Sequence, residues 1–366
     1  MTNLDPLQQI VQNQNFLKRI EQAFDQTLTH AKQIEANEGA YSLNLNTERL
    51  IIFSDHHKGA RNRADDFRVT ERVYNAALAY YFNMGHTLAV LGDVEELWEE
   101  YPQDVLEMYA HTFQLEAQFH QAKRYLRFWG NHDDDWRYAD NVRKRLDPLY
   151  GGSPLQVREA LRAHVKDGTD ELGTLFLVHG HQGTLDSDQW ATISRPVVRH
   201  VIRNWQRLTG YSWNTPATDW MLRETHNLAM YSWASQQPKT VLIVGHTHRP
   251  VFASRSHATK IKEQIEIAER TIADPTQRQQ AISVLQAELE WVRSQGQQKP
   301  GQELPPDLTP KPCYFNSGCC CFVDGKITGL EIAEGEIRLV RWPDPQGKPK
   351  PEILERALLR EVFAKL

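Results

Sequence analysis

Gly130-Asn131-His132-Asp133-Asp134 follows directly on Arg124-Tyr125-Leu126-Arg127-Phe128-Trp129. The second of these runs is rich in apolar and aromatic residues and predicts a buried strand. A strand that runs straight into Gly-Asn-His-Asp presents an amide oxygen, an imidazole and a carboxylate at its carboxyl end, where open α/β folds carry their chemistry. Taken alone, the pentapeptide is also ordinary turn chemistry. Its meaning depends on what the rest of the chain sets beside it.

Outward from this point the same pattern recurs. Glu48-Arg49-Leu50-Ile51-Ile52-Phe53-Ser54 ends in Asp55-His56-His57-Lys58-Gly59, and Thr87-Leu88-Ala89-Val90-Leu91 ends in Gly92-Asp93-Val94-Glu95-Glu96. Thr174-Leu175-Phe176-Leu177-Val178 ends in His179-Gly180-His181, and Thr240-Val241-Leu242-Ile243-Val244 ends in Gly245-His246-Thr247-His248-Arg249-Pro250. Between the strands lie helical periodicities over 65–84 and 103–122, and the amphipathic spacing of residues 5–36 predicts a helix laid on the outside of the core. Residues 140–170 read as loop and helix. Residues 258–299, interrupted at Asp274-Pro275, read as an antiparallel helical hairpin, and 300–312 as a Pro-rich linker. Cys313–Phe315, Cys319–Val323 and 329–342 read as strands with tight turns at Asp324-Gly325 and Glu334-Gly335. A short amphipathic helix is expected at 351–365. Strands alternating with helices place the chain in the α/β class. No internal repeat is evident.

Bulk properties narrow the function. The chain has 366 residues, 40% hydrophobic and 24% charged, with a net charge of -5 when His is neutral. That charge argues against a general nucleic-acid binder, and nuclease action ranks low. No run approaches the ~20 apolar residues of a membrane span. The first residues lack a basic and apolar leader pattern, so a cytoplasmic location is expected, with peripheral membrane association compatible. Four cysteines, three of them adjacent (Cys319, Cys320, Cys321), do not form a disulfide framework.

The five strand ends are all built from Asp, Asn and His: Asp55/His57, Asp93, Asn131/His132, His179/His181 and His246/His248. Alternating strands and helices let such ends gather on one edge of a sheet. If the chain is locally extended, residues i and i+2 of Asp55-x-His57 and of His246-x-His248 point the same way. Carboxylate, amide and imidazole donors without a thiolate set suit Mn²⁺, Fe or Zn²⁺.

In the order D-x-H, GD, GNHD, H-G-H, GHTH, the chain resembles the calcineurin-like metallophosphoesterase superfamily over about residues 50–250. That resemblance implies a four-layer αββα sandwich with helical insertions, the strands after 312 completing its second sheet. It implies two divalent metal ions, Mn²⁺ first among the candidates. Asp55, His57 and His248 would hold one ion, Asn131, His179 and His246 the other, and Asp93 would bridge them. His132 would contact the phosphate and stabilise or protonate the leaving oxygen, with Asp133 orienting it. Two cations roughly 3.5–4 Å apart neutralise a phosphate and activate a hydroxide for in-line attack without a side-chain base.

The parts divide accordingly. Residues 1–44 form an N-terminal helix on the core, and 45–184 the first part of the core. Residues 185–237 form a helical cap rich in Trp and Arg, and 238–253 the last core strand and ligand motif. A helical hairpin and linker span 254–311, core strands 312–342, and a final helix 343–366. Lys58, Arg61, Arg63, Arg249 and His181 are candidates to meet an anionic substrate; Lys58, Arg61 and Arg63 are equally well read as a solvated charge run. Glu96 is a candidate to support the ligands from behind. The cysteine triplet alternates between two faces and reads as core filling.

The cap stands between two ligand strands and holds Trp190, Trp205, Trp213, Trp220 and Trp233. Its position, with Gly92-Asp93 and Glu96-Leu97-Trp98, is similar to the branch that cleaves UDP-2,3-diacylglucosamine, in which a cap accommodates acyl chains. HGH in place of that branch's HGD and the 254–311 insertion depart from it, and most of the Trp residues are also explained by packing. The activity expected is hydrolysis of a phosphodiester or pyrophosphate-linked substrate, nucleotide- or lipid-linked. The alternatives are a phosphomonoesterase or protein phosphatase, and a non-catalytic metal-binding scaffold whose helical insertions take a protein partner.

Overall fold

The computed structural model describes residues 6–62, 65–184, 220–295, 311–344 and 347–366. Its framework is two mixed seven-stranded sheets. In chain order the helices are α1 (Pro6–Glu38), α2 (Glu71–Asn83), α3 (Pro102–Met108), α4 (Ala110–Gln121), α5 (Ala139–Arg145), α6 (Trp220–Gln236), α7 (His257–Thr271), α8 (Pro275–Gln295) and α9 (Leu359–Ala364). The strands are β1 (Tyr41–Asn44), β2 (Leu50–Phe53), β3 (Thr87–Leu91), β4 (Tyr125–Phe128), β5 (Val157–Arg158), β6 (Ala160–Asp167), β7 (Asp170–Val178), β8 (Thr240–Val244), β9 (Val251–Phe252), β10 (Arg255–Ser256), β11 (Tyr314–Asn316), β12 (Ile327–Ala333), β13 (Glu336–Trp342) and β14 (Glu352–Leu358).

One sheet runs β14-β13-β12-β2-β3-β4-β5 and the other β1-β6-β7-β8-β11-β9-β10. Strand alternation fills the layers between and outside them. Ile52, Ala89, Leu91 and Phe128 from the first sheet meet Leu175, Leu177, Val241, Ile243 and Phe315 from the second in one core. The intervening residues Ile51, Phe53, Leu88 and Val90 face outward onto Tyr74, Leu78 and Phe113 of α2 and α4. On the far side Phe176, Val178, Leu242 and Val244 pack against Ile20 and Phe24 of α1 and Met230 and Trp233 of α6. Because core strands are covered on both faces, they read as continuous apolar runs rather than alternating ones. The result is the four-layer αββα sandwich expected from the sequence.

Several expectations are corrected. The five polar strand ends do not sit on one sheet: β2, β3 and β4 belong to one, β7 and β8 to the other. The strands after 312 divide too, with β11 pairing β8 and β12 pairing β2. Residues 140–170 contain β5 and the long β6, whose charged outer face meets α1 through Arg162 and His164 on Glu35, at 2.5 and 2.9 Å. Residues 319–323 are not a strand but a bend between β11 and β12. The final segment is not helical throughout: Glu352–Leu358 is β14, paired antiparallel with β13. Edge pairing outweighs the helical propensity of Glu-Arg-Ala-Leu there.

The expected helical hairpin is present as α7 and α8, closed around Ile261 and Leu289. It is tied to the edge of the first sheet by Arg341 on Glu288, 2.6 Å, and by Lys260 on Glu355. Of the cap expected at 185–237, residues 185–219 lie outside the described residues, as do 296–310 of the linker. Trp233, at the described end, is core: it packs on Phe24 and Phe176, and its indole N–H donates to Asp25.

A candidate two-site metal centre

The ends of β2, β3, β4, β7 and β8 converge where the two sheets meet. Asp55 N–H donates to the carbonyl of Gly92, and His57 N–H to that of Asp93. His246 N–H donates to the Asp55 carboxylate across the sheet boundary, at 2.9 Å to Oδ2. These loops bend sharply. Asp55, His57, Asp93, His246 and His248 all have positive φ, between 50° and 65°. For residues with a Cβ that region costs about 1–3 kcal/mol each and persists only where surrounding structure enforces it. The strand-end pairs are therefore not extended, and His246 and His248 turn to different partners. Gly130 is required by close approach, since a Cβ there would stand 2.2 Å from Asp93 Oδ1; one at Gly245 would stand 2.4 Å from Asp55 Oδ2.

Two groups of buried donors result. In the first, Asp55, His57 and His248 bring their ligand atoms within 4.8 Å of one another. His57 Nε2 faces His248 Nε2 at 3.1 Å, and His248 Nε2 lies 3.3 Å from Asp55 Oδ1. In the second, Asp93, His179 and His246 meet the same limit, with His179 Nε2 3.1 Å from Asp93 Oδ2. The same Asp93 oxygen is 3.9 Å from His57 Nε2, so one carboxylate oxygen stands between the groups. Asn131 is buried with an unpartnered Oδ1, and the Nε2 of His246 is unpartnered as well. Buried polar atoms are almost always satisfied. Orphaned oxygen and nitrogen acceptors aimed at one space fit divalent cations.

The supporting contacts set tautomers. His179 donates Nδ1–H to the carbonyl of Leu91 at 2.6 Å, which leaves Nε2 as the lone-pair nitrogen. His57 Nδ1 bonds Glu96 Oε2 at 2.9 Å, and His132 Nδ1 bonds Glu96 Oε1 at 2.8 Å. Glu96 thus orients two imidazoles at once, the usual arrangement behind metal-binding histidines. Trp98 stacks on His132 with ring centres 4.3 Å apart, and its indole N–H donates to the carbonyl of Asn131 at 2.7 Å.

Without cations, protons hold the carboxylates and imidazoles together. Burial lowers the His57 imidazole, but the Glu96 hydrogen bond and the Asp93, Glu96 and Asp55 charges push it up to about 10. Burial likewise opposes His179 and His248, yet Asp93 raises the first to about 9 and Asp55 the second to about 9. His246 has no such carboxylate contact, and burial with the neighbouring histidines holds it well below the ordinary value.

Several site expectations change. Asp133 does not touch His132; its carboxylate accepts N–H groups from Gly130 at 2.6 Å and Val94 at 2.9 Å, fastening the β3 and β4 loops together. Glu96 holds the place expected for it. Lys58 is not available to substrate: it is fully buried, with Nζ 2.6 Å from Glu116 Oε1 and 4.3 Å from the Phe113 ring centre. Arg61 is engaged by both oxygens of Glu71 at 2.7 Å. Arg63 lies outside the described residues. Arg249 is buried next to His248, and His181 is buried with its ring 5.3 Å from that of His179. The cysteines divide between two sides although their segment is a bend and not a strand, Cys320 packing into the core under α2. Cys319 and Cys321 fall on the other side, however, within 4.8 Å of a His248 nitrogen, and Cys321 Sγ is 3.7 Å from His248 Nδ1. Sequence reasoning missed Trp98 as the clamp on the Asn131-His132 loop, although Glu96-Leu97-Trp98 follows Asp93 closely enough to have suggested it.

No protein-family model matches the chain, and no curated protein does. Among solved structures it is similar to vacuolar protein sorting 29 from Cryptosporidium parvum, at 12% identity over 85% of this chain and 98% of that one, with a TM-score of 0.29. A likeness that loose carries nothing about function. Among the described residues no helix is long and apolar enough to cross a membrane.

Proposed function

We propose that the chain is a phosphoesterase dependent on two divalent cations, which hydrolyses a phosphodiester or pyrophosphate-linked substrate. The observation that carries this reading is Asp93: one oxygen of its carboxylate lies between two separate buried donor groups, 3.1 Å from His179 Nε2 and 3.9 Å from His57 Nε2. Asp55, His57 and His248 would hold one cation, Asn131, His179 and His246 the other, and Asp93 both. When bound, such a pair supplies Lewis acidity and an activated water to a phosphate ester.

The chain's own residues then have distinct parts. Asp93 holds the two positive charges against their repulsion. The neutral donors Asn131, His179 and His246 leave charge uncompensated at the second group, which favours an anionic substrate. His132, with Nδ1 fixed by Glu96 and its ring clamped by Trp98, keeps Nε2 to hydrogen-bond the phosphate or its leaving oxygen. Glu96 positions His132 and His57 through one carboxylate. The sandwich layout and the D-x-H, GD, GNHD, H-G-H, GHTH order support placement among the calcineurin-like metallophosphoesterases. All seven ligand positions are filled by competent donors, which disfavours a scaffold without catalysis.

The test is direct. The chain is stripped of metal, reloaded with Mn²⁺, and compared on bis-p-nitrophenyl phosphate, p-nitrophenyl phosphate and a pyrophosphate-linked nucleotide. Cleavage of the diester or the pyrophosphate in preference to the monoester is expected. Preference for the monoester would select a phosphomonoesterase, and no turnover with Mn²⁺, Fe²⁺ or Zn²⁺ would overturn the enzyme reading.

A further inference from the structure

Two thiols stand beside the first donor group, and the two-cation reading gives them no part. Cys319 and Cys321 are free cysteines in the bend between β11 and β12. They are buried, yet neither joins the large cores; with Phe322 they form a small cluster of their own. Cys320 between them fills the core, and the flanking pair turns the other way. There the two sulfurs and a nitrogen of His248 lie within 4.8 Å of one another. Cys321 Sγ is 3.7 Å from His248 Nδ1, whereas Nε2 is the nitrogen that meets Asp55 and His57.

The bend is fastened to the ligand loop it faces. Cys320 N–H donates to the carbonyls of Ser54 and Asp55, at 3.1 Å each, and Thr328 N–H donates to the carbonyl of Cys319 at 3.1 Å. Gly318 opens the bend with a φ of 77°, and a Cβ there would stand 2.0 Å from Thr328 Oγ1. Backbone bonds on both sides thus set the height of the thiols against His248. The adjoining Val323 is 80% exposed and the His248 side chain 18%, so the group lies just under the surface, where a small ion reaches it.

Two sulfurs and an imidazole nitrogen form a soft donor set. Thiolate sulfur selects Cu⁺, whereas carboxylate and amide oxygens suit harder divalent ions. A neutral imidazole has one N–H and one lone pair. With the first cation on Nε2, Nδ1–H donates to Cys321. With a soft ion on Nδ1, the proton sits on Nε2, 3.3 Å from Asp55 Oδ1, and hydrogen-bonds that carboxylate. Each arrangement is satisfied inside the chain, and the two exclude each other.

We propose that Cys319, Cys321 and His248 Nδ1 form a three-donor site for a thiophilic ion of the Cu⁺ class, and that its occupation withdraws His248 from the first cation. Binding forms two Cu–S bonds and one Cu–N bond, releases both thiol protons to solvent and transfers no electron. The site stands on its own donors; the antagonism rests on the two-cation reading. By linkage, each ion weakens the other by the same factor.

The reduced wild-type chain is titrated with Cu⁺ under anaerobic conditions against a chromophoric Cu⁺ chelator, and the bound ion is examined by X-ray absorption. One Cu⁺ per chain, with two sulfur neighbours and one nitrogen neighbour, is expected. In parallel, Mn²⁺ binding is followed by electron paramagnetic resonance with and without one equivalent of Cu⁺. Cu⁺ is expected to weaken one of the two Mn²⁺ ions by about 5–150-fold, the usual span of coupling between sites, and to leave the other bound. Cys319→Ser is expected to hold Cu⁺ more weakly and to keep both Mn²⁺ ions in its presence. Cu⁺ with only nitrogen and oxygen neighbours, or surrendered entirely to the chelator, overturns the site, while the two-cation reading stands on its two Mn²⁺ ions. Sulfur-bound Cu⁺ that leaves both Mn²⁺ affinities unchanged overturns the sharing of His248. If no Mn²⁺ binds, the two-cation reading falls, and the absorption arm still decides the thiol site. That arm needs no variant, so misfolding of Cys319→Ser leaves the question decidable.

Discussion

The two donor groups lie side by side and are supported in different ways. In the first, each imidazole is tied at its far nitrogen to a side chain: His57 to Glu96, and His248 to Cys321. In the second, His179 is tied by Nδ1 to a backbone carbonyl and faces Asp93 with Nε2, and unpartnered nitrogens accumulate on His181, His226 and His246. The first group is rich in negative charge and is satisfied by protons when no cation is present. In the second only His179 gains a proton's tie, to Asp93, while His246 Nε2 and Asn131 Oδ1 have no partner among the described residues. One centre thus combines a site whose strength is electrostatic with one whose strength is a surplus of lone pairs.

That contrast can be broken most severely at the shared residue. Asp93→Ala is expected to empty both groups, with loss of metal measured by mass spectrometry and loss of all turnover; retention of either ion would mean the groups do not share a carboxylate. Next comes His132→Ala, which should keep both ions and reduce turnover of bis-p-nitrophenyl phosphate by about 10²–10⁴-fold, the range for acid–base or charge-stabilising groups. A metal site emptied by this change would make His132 a ligand instead. Smaller still, Glu96→Gln should weaken only the first ion, by about 10–100-fold, because His57 loses its charged partner while His179 keeps Leu91. Equal weakening of both ions, read by calorimetric titration, would erase the distinction between the groups.

The mildest test is pH. In the metal-free chain His57 is raised to about 10 and His179 and His248 to about 9, from 6.5. A raised folded value stabilises the protonated native state, so this contribution is complete below pH 6.5 and is lost as pH rises through 9 and 10. Metal binding has the opposite sign, since each proton must leave first. Apparent cation affinity is expected to climb across that window, with proton release measurable by calorimetry in buffers of different ionisation enthalpy. The first group, with two such imidazoles, should show the steeper rise. A flat profile would remove the protons from the account.

The seven candidate ligands were legible in the sequence because each is a local statement: an apolar run, then Asp, Asn or His at its carboxyl end. Local sequence carries that information since a buried strand must be apolar until it leaves the sheet. Of the roles just behind these candidates, that of Glu96 was legible and the others were not. Asp133 is adjacent to His132, yet it fastens backbone N–H groups of two loops, while Glu96 reaches His132 from another loop. Lys58 follows a candidate ligand and looked available for substrate, but the buried Glu116 of α4 takes it. β6 was missed because its outward face is charged, and its partner for that charge, Glu35, lies on α1.

By itself the sequence determined the α/β class, the order of the polar strand ends and the chemistry of their donors, all properties of contiguous residues. Only the tertiary structure decided that these ends come from two sheets rather than one, that Glu96 rather than Asp133 reaches His132, and that the ring of His226 arrives from a helix beside that of His246. Those outcomes depend on how the two sheets and their covering helices pack. Packing is settled by contacts between distant residues, which no local stretch encodes.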